Sequence, residues 1–415
     1  MSSLSRLVPS PGVSVEATAL SAPRAQSIPS TRAAALPWYV LTALGAATSI
    51  IVGVIWDISW HRSIGRDTFW TPAHLAIYLG GLLGGAVAGV RILRTTFGGS
   101  AEARAASVTV LGFRGPLGAW VSVWGAGAML VSAPFDDWWH NAYGLDVKIL
   151  SPPHTVLAFG IYGIGLGAML TVLAEQNRAT SPEARRRFGV MFAYLAGVLV
   201  TMAAVFVTEY VYRTLLHSSI AYRVSALVFP IFLVAVSRAS SLRWPATATA
   251  AAYMLITAVM VWVLPLFPAE PKLGPIYQHV TRMVPPDFPL ALVAPAAAID
   301  VLMRRRRAGL PDEAAPGGWA VAAVLGALFV AAFVAAQWPL AGLLLSPYGR
   351  NWFFAGDNIG YSVPSSSYTG RNQFFPWDER HGTTLWIGLL QAAVIAAVSA
   401  RLGLSWGGWL RRVRR

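Results

Sequence analysis

From Pro37 onward, apolar runs alternate with short polar connectors. Each run is close to the about 20 residues that an α-helix needs to cross a hydrocarbon core. The pattern predicts ten helices, over roughly 37–56, 72–94, 116–135, 153–176, 188–210, 220–238, 245–265, 287–303, 319–345 and 383–402. Asp300 and several prolines interrupt the eighth. The expected fold class is therefore all-α: a polytopic integral membrane helical bundle. Residues 1–36 are rich in Ser, Ala, Pro and Arg, with Glu16 as the only acid and no apolar periodicity. They read as a disordered cytoplasmic tail. A secretory signal is not expected, because no cleavage site follows the first apolar run; an organellar transit segment remains the alternative. The expected organisation is this tail, a four-helix region over 37–187, and a six-helix region over 188–415 that carries an aromatic outer loop, 346–382.

Composition agrees with the pattern. The 415 residues are 55% hydrophobic and only 12% charged, whereas soluble domains carry about 25% charged residues. The net charge of +14 invites a nucleic-acid reading. Topology accounts for it instead. With the N-terminus inside, 22 of the 32 Lys and Arg residues fall on inner segments and 10 on outer ones, as the positive-inside rule requires. The expected partner is the lipid bilayer, with some attraction to anionic lipid and no nucleic acid. Both termini then face the cytoplasm of a cell-membrane protein. The absence of cysteine excludes disulfides, thiolate zinc sites, iron–sulfur clusters and cysteine nucleophiles.

The same topology puts all seven histidines, His61, His74, His140, His154, His217, His279 and His381, on or near the outer face. Four of them lie in two outer connectors that resemble each other. The first reads Asp57-Ile-Ser-Trp60-His61, then Arg66-Asp67-Thr68, then Thr71-Pro72-Ala73-His74. The second reads Asp136-Asp137-Trp138-Trp139-His140, then Asp146, then Ser151-Pro152-Pro153-His154. Asp and His at i and i+4 share a helix face. The second His opens the next helix beside prolines that a first turn tolerates. A helical hairpin thus gathers one carboxylate and two imidazoles around an open position, a donor set for copper, zinc or non-haem iron. Asp67 and Asp146 are expected as supporting acceptors for a ligating imidazole, alongside Trp60 and Arg66. A single interfacial His is ordinarily an anchor, and an Asp–His pair ordinarily a plain hydrogen bond. Two matching copies at the membrane edge point to metal binding, since ionisable groups there are costly.

At these residues the chain resembles the C subunit of the copper membrane monooxygenases, the particulate methane and ammonia monooxygenases. Asp57, Trp60, His61, Arg66, Asp67, Thr68, Thr71, Pro72 and His74 reproduce that subunit's Asp-x-x-Trp-His, Arg-Asp-Thr and Thr-Pro-x-His segments. Asp136, His140, Asp146, Pro152 and His154 fit its second site, with Asp136 where the family has Asn. The resemblance covers roughly residues 55–155. It implies up to two copper ions and O₂-dependent hydroxylation of a small apolar substrate. It also implies partners, other membrane subunits and an electron donor. A non-catalytic copper-handling protein or accessory subunit is the alternative reading, and a transporter the third. Residues 188–415 carry no further family motif.

Weaker ligand candidates are Glu209, His217 and His381. Glu209 is expected to find a charge partner in Arg213 or Arg223, and Asp300 to pair with Arg304 at i,i+4. The glycine-rich stretch Gly80–Gly85 lies within a span and reads as a close helix-packing surface.

Overall fold

The structure, a computed structural model, describes residues 36–144, 151–305, 317–377, 379 and 382–415. The expected tail, Asp146 and His381 lie outside these residues. Helices in chain order are α1 (Trp38–Ser63), α2 (Pro72–Gly98), the short α3 (Ala101–Ala105), α4 (Leu117–Tyr143), α5 (Pro152–Arg178), α6 (Pro182–Val207), α7 (Ser219–Ala239), α8 (Pro245–Val263), α9 (Val293–Arg305), α10 (Gly317–Leu345), the single-turn α11 (Tyr368–Arg371) and α12 (Thr383–Arg412). A small hairpin, β1 (Val108–Val110) with β2 (Phe113–Gly115), separates α3 from α4. The chain is an all-α bundle, and nine helices among the described residues are long and apolar enough to span a bilayer.

That is one fewer than the ten expected from hydropathy. The eighth expected span, 287–303, contains only the 13 residues of α9. Pro285, Pro286 and Pro289 keep the preceding stretch out of the helix, because each lacks an N–H and disfavours αR for the residue before it. The chain still returns through the bundle. Val284 N donates to Ser63 Oγ at the end of α1 (2.7 Å), Leu290 N to Tyr253 Oη (2.9 Å) and Ala291 N to Gln337 Oε1 (2.8 Å). Further along, Asp300 accepts from Ser237 Oγ (2.7 Å), Thr247 Oγ1 (2.9 Å) and the N–H groups of Ala246 and Thr247 (3.2 and 2.9 Å) at the start of α8. Side chains of neighbouring helices thus satisfy a non-helical backbone that lipid could not. Asp300 therefore caps α8 and does not pair with Arg304, whose guanidinium stacks on Trp244 at 4.6 Å.

Elsewhere the helices outrun their hydropathy. α1 continues past 56 to Ser63 and α4 past 135 to Tyr143, carrying the Asp–His pairs on regular helix. The start of α1 and the end of α12 both meet the end of α5: Tyr39 Oη donates to Glu175 Oε1 (2.7 Å), and Asn177 Nδ2 to the Val413 carbonyl (2.8 Å). Asp57 and His61 lie at the opposite end of α1.

Small residues set the helix spacing. α1 runs along α2, α4 along α5, and α12 along α7. A Cβ added at Gly80 would lie 2.6 Å from the Ala46 carbonyl oxygen, and one at Gly84 2.9 Å from the Ile164 side chain, so the glycine stretch is a packing surface. Two apolar cores, one built mainly on α1 and α5 and the other on α7 to α10 and α12, meet on α6, where Leu199 belongs to the first and Val200 to the second. The long aromatic connector after α10 folds onto the end of α1: Tyr361 N donates to the Arg62 carbonyl (3.0 Å), and the Tyr361 carbonyl accepts from Tyr277 and Gln278 N–H groups. Burial there pushes the Tyr361 phenol above its ordinary range.

Candidate metal centres

Both clusters are built on helical hairpins whose closeness is fixed by glycine. A Cβ at Gly53 of α1, one turn before Asp57, would sit 2.9 Å from Ile77 N and 3.0 Å from the Ala73 carbonyl oxygen. A Cβ at Gly125 of α4 would sit 2.7 Å from the Gly160 carbonyl oxygen on α5. Only hydrogen at these positions lets the backbones approach near enough for a ligand on one helix to face a ligand on the other. The second helix of each hairpin starts with proline in its first turn, after Thr71 or Ser151. Ser151 Oγ accepts from His154 N–H (3.3 Å), which seats that histidine in the first turn.

In the first cluster, His74 Nε2 lies 3.1 Å from Asp57 Oδ1 and 3.5 Å from Asp67 Oδ2. His61 Nε2 lies 3.8 Å from Asp57 Oδ2 and 3.5 Å from Asp67 Oδ2. Asp57, Asp67 and His74 each bring a ligand atom within 4.8 Å of the other two. The connector thus places the Asp67 carboxylate among the imidazoles themselves, a more central position than the supporting one expected from sequence. In the second cluster, Asp136 Oδ2 lies 3.5 Å from His140 Nε2 and Asp136 Oδ1 3.5 Å from His154 Nε2. Asp136, His140 and His154 again bring ligand atoms within 4.8 Å of one another.

Two observations fit these donors to a metal ion. First, Asp136 Oδ1 is buried and makes no hydrogen bond among the described residues, although His154 Nε2 is 3.5 Å away, and the buried Asp57 Oδ1 faces His74 Nε2 at 3.1 Å. Donor atoms that converge without pointing at each other are what a shared ion about 2 Å from each produces, whereas a buried oxygen left alone is costly. Second, the tautomers are set by backbone carbonyls. His74 Nδ1 is 2.9 Å from the Thr68 carbonyl oxygen and His140 Nδ1 3.2 Å from that of Gly144. A carbonyl only accepts, so in the neutral imidazole Nδ1 carries the proton and the Nε2 lone pair faces the carboxylates. The donor side chains are 20 to 34% exposed.

The remaining candidates divide. Trp60 Nε1 donates to the Arg66 carbonyl (2.9 Å), so Arg66 supports the turn through its backbone while its side chain is exposed. Glu209 is exposed, and its expected partners are engaged elsewhere: Arg213 with Asn358 and Arg223 with Gln391 Oε1 (3.1 Å). His217 is buried against Trp338, with Nε2 3.2 Å from that residue's carbonyl oxygen, and joins neither cluster. Sequence reasoning passed over Tyr78, one turn after His74. Its ring lies 6.0 Å from the His74 ring. The i,i+4 spacing from His74 was its only sequence signal. The Thr68 and Gly144 carbonyls had none, being backbone.

Fold and clusters together define a multi-pass helical membrane protein with two groups of Asp and His residues at one end of the bundle. No protein-family model, curated protein or solved structure matches the chain.

Proposed function

We propose that this chain is a copper-binding integral membrane protein, related to the C subunit of the copper membrane monooxygenases. Each cluster holds one ion. The convergence of Asp57, Asp67 and His74, with His61 Nε2 beside them 3.5 Å from Asp67 Oδ2, carries the proposal. Two imidazoles with one or two carboxylates suit Cu, and also Zn or Fe, so the metal is decided by analysis. Bound copper supplies one-electron chemistry and O₂ activation, here for hydroxylation of a small apolar substrate arriving through the bilayer. The protein's own part is orientation: Thr68 and Gly144 hold the imidazoles by Nδ1, and the glycine-spaced hairpins fix the distance between donors. An electron donor and further membrane subunits complete the proposed assembly. The arginine-rich end faces the cytoplasm, and the clusters face the extracytoplasmic side of the cell membrane.

The partial exposure of every donor also favours a second reading, a non-catalytic protein that stores or delivers copper. Elemental analysis of the detergent-purified chain tests the common premise: about one copper per cluster supports it, and a metal-free protein purified under copper-replete conditions overturns it. Reductant-dependent oxygen consumption then selects the enzyme. Ready transfer of copper to an acceptor without oxygen consumption selects the metal handler.

A further inference from the structure

Behind α1, on the side away from α2, a cavity of about 80 Å³ opens between α1, α6, α8 and the extended stretch 284–290. We propose that it binds an uncharged, mainly aliphatic molecule, at a site separate from the metal clusters.

The cavity exists because Pro285, Pro286 and Pro289 keep the stretch before α9 out of the helix, although hydropathy counts 287–303 as a span. An extended strand is slimmer than a helix about 10 Å across, so the space a tenth helix would fill is left open. α1 presents Ile55, Ser59 and Arg62 to this space at a spacing of three to four residues. Asp57 and His61 lie on the face that meets α2. One helix thus serves a polar cluster and an apolar cavity on different sides.

The walls specify the ligand. Ile55, Ala204, Val205, Val211, Phe288 and Leu290 are apolar. The serine and threonine hydroxyls among them are committed to backbone carbonyls, Ser59 to Val284 (2.6 Å), Thr201 to Gly197 (2.8 Å), Thr208 to Ala204 (3.1 Å) and Thr257 to Tyr253 (3.0 Å), and Tyr253 Oη accepts from Leu290 N–H (2.9 Å). None of the side-chain polar atoms buried without a partner belongs to the lining. The charges at one end are tied together: Arg62 donates to the Asn358 and Pro285 carbonyls, and Asp287 accepts from Asn358 Nδ2. A cavity so lined repels charge and stays dry, and an apolar guest gains the burial free energy of its own surface. The guest is either the acyl chain of a bilayer lipid or a free small apolar molecule; both share this chemistry.

The test uses the full chain in detergent with a photoreactive dodecyl diazirine as probe, mapping labelled peptides by mass spectrometry with and without excess dodecane. The expected result is labelling concentrated on residues 201–211 and 284–290, reduced several-fold by dodecane. Ala204→Phe and, independently, Val205→Trp fill the cavity and reduce the same labelling several-fold, while metal content per chain stays that of the wild type. Solvent extraction separates the sources. A phospholipid co-purifying with wild type and lost in both variants identifies an acyl chain, whereas labelling with no retained lipid identifies a free small molecule. Labelling that spreads over the lipid-facing helices, resists dodecane and is unchanged in both variants overturns the proposal. Because the metal count is read separately, failure here is distinguishable from failure of the copper reading.

Discussion

The Nδ1 atom of His74 stands 2.9 Å from the carbonyl oxygen of Thr68, six residues earlier in the chain. This contact orients an interfacial histidine. It commits the ring proton to the backbone and leaves Nε2 facing Asp57 and Asp67, and His140 repeats the arrangement with the Gly144 carbonyl. The two clusters therefore share one principle: a carbonyl that fixes the tautomer and a carboxylate on the neighbouring turn or helix.

If each cluster holds its own ion, the clusters lose metal independently. His74→Ala is expected to lower metal content by about half, with His154→Ala doing the same, and the double variant to be metal-free, since a ligand's loss removes an ion that depends on three or four donors. Elemental analysis per chain reads this directly. A His74→Ala protein with full metal content would remove the first cluster from consideration.

Asp67 distinguishes a central carboxylate from a supporting one. It lies 3.5 Å from both His61 Nε2 and His74 Nε2. Asp67→Asn is expected to weaken metal retention at the first cluster about tenfold or more, leaving the second unaffected. Competition with a chelator of known affinity measures the difference.

Gly65 sets the turn that delivers Asp67. It has φ +81°, and a Cβ there would collide with the Tyr361 hydroxyl. Gly65→Ala is expected to cost about 1–2 kcal/mol for the left-handed backbone alone and to loosen metal at the first cluster. Full metal content with unchanged thermal stability would show that the turn does not hold the site.

At the second hairpin, Gly125→Val forces atoms against the Gly160 carbonyl oxygen, which a Cβ already approaches to 2.7 Å. The expected outcome is a loss of about 1–3 kcal/mol from overpacking, accompanied by loss of metal from the second cluster and retention at the first. Thermal unfolding followed alongside metal content separates the two effects.

Asp300 tests the architecture away from the clusters. Asp300→Ala leaves Ser237, Thr247 and the first N–H groups of α8 without their acceptor, and is expected to cost about 3 kcal/mol. Asp300→Asn keeps an acceptor and is expected to cost less. Equal stability of Asp300→Ala and wild type in a thermal melt would contradict the capping role.

Local sequence determined the membrane-spanning character of the helices and brought the Asp–His pairs into view. Both depend on short-range regularities: about 20 apolar residues make a span, and i,i+4 spacing puts Asp57 beside His61 and Asp136 beside His140. The hairpin partners His74 and His154 were legible for a related reason, because a short connector and an opening proline leave a helix little choice but to turn back. Tertiary structure decided what depends on distant partners. Hydropathy counts the stretch 287–303 as a span, yet its extended part is stable only because Tyr253 and Gln337, far away in sequence, satisfy its N–H groups. The place of Asp67 among the imidazoles follows from a turn at Gly65 packed under Tyr361, nearly 300 residues later. The cavity beside α1 is visible in no local pattern, for it is the space left between helices when proline removes one from the row.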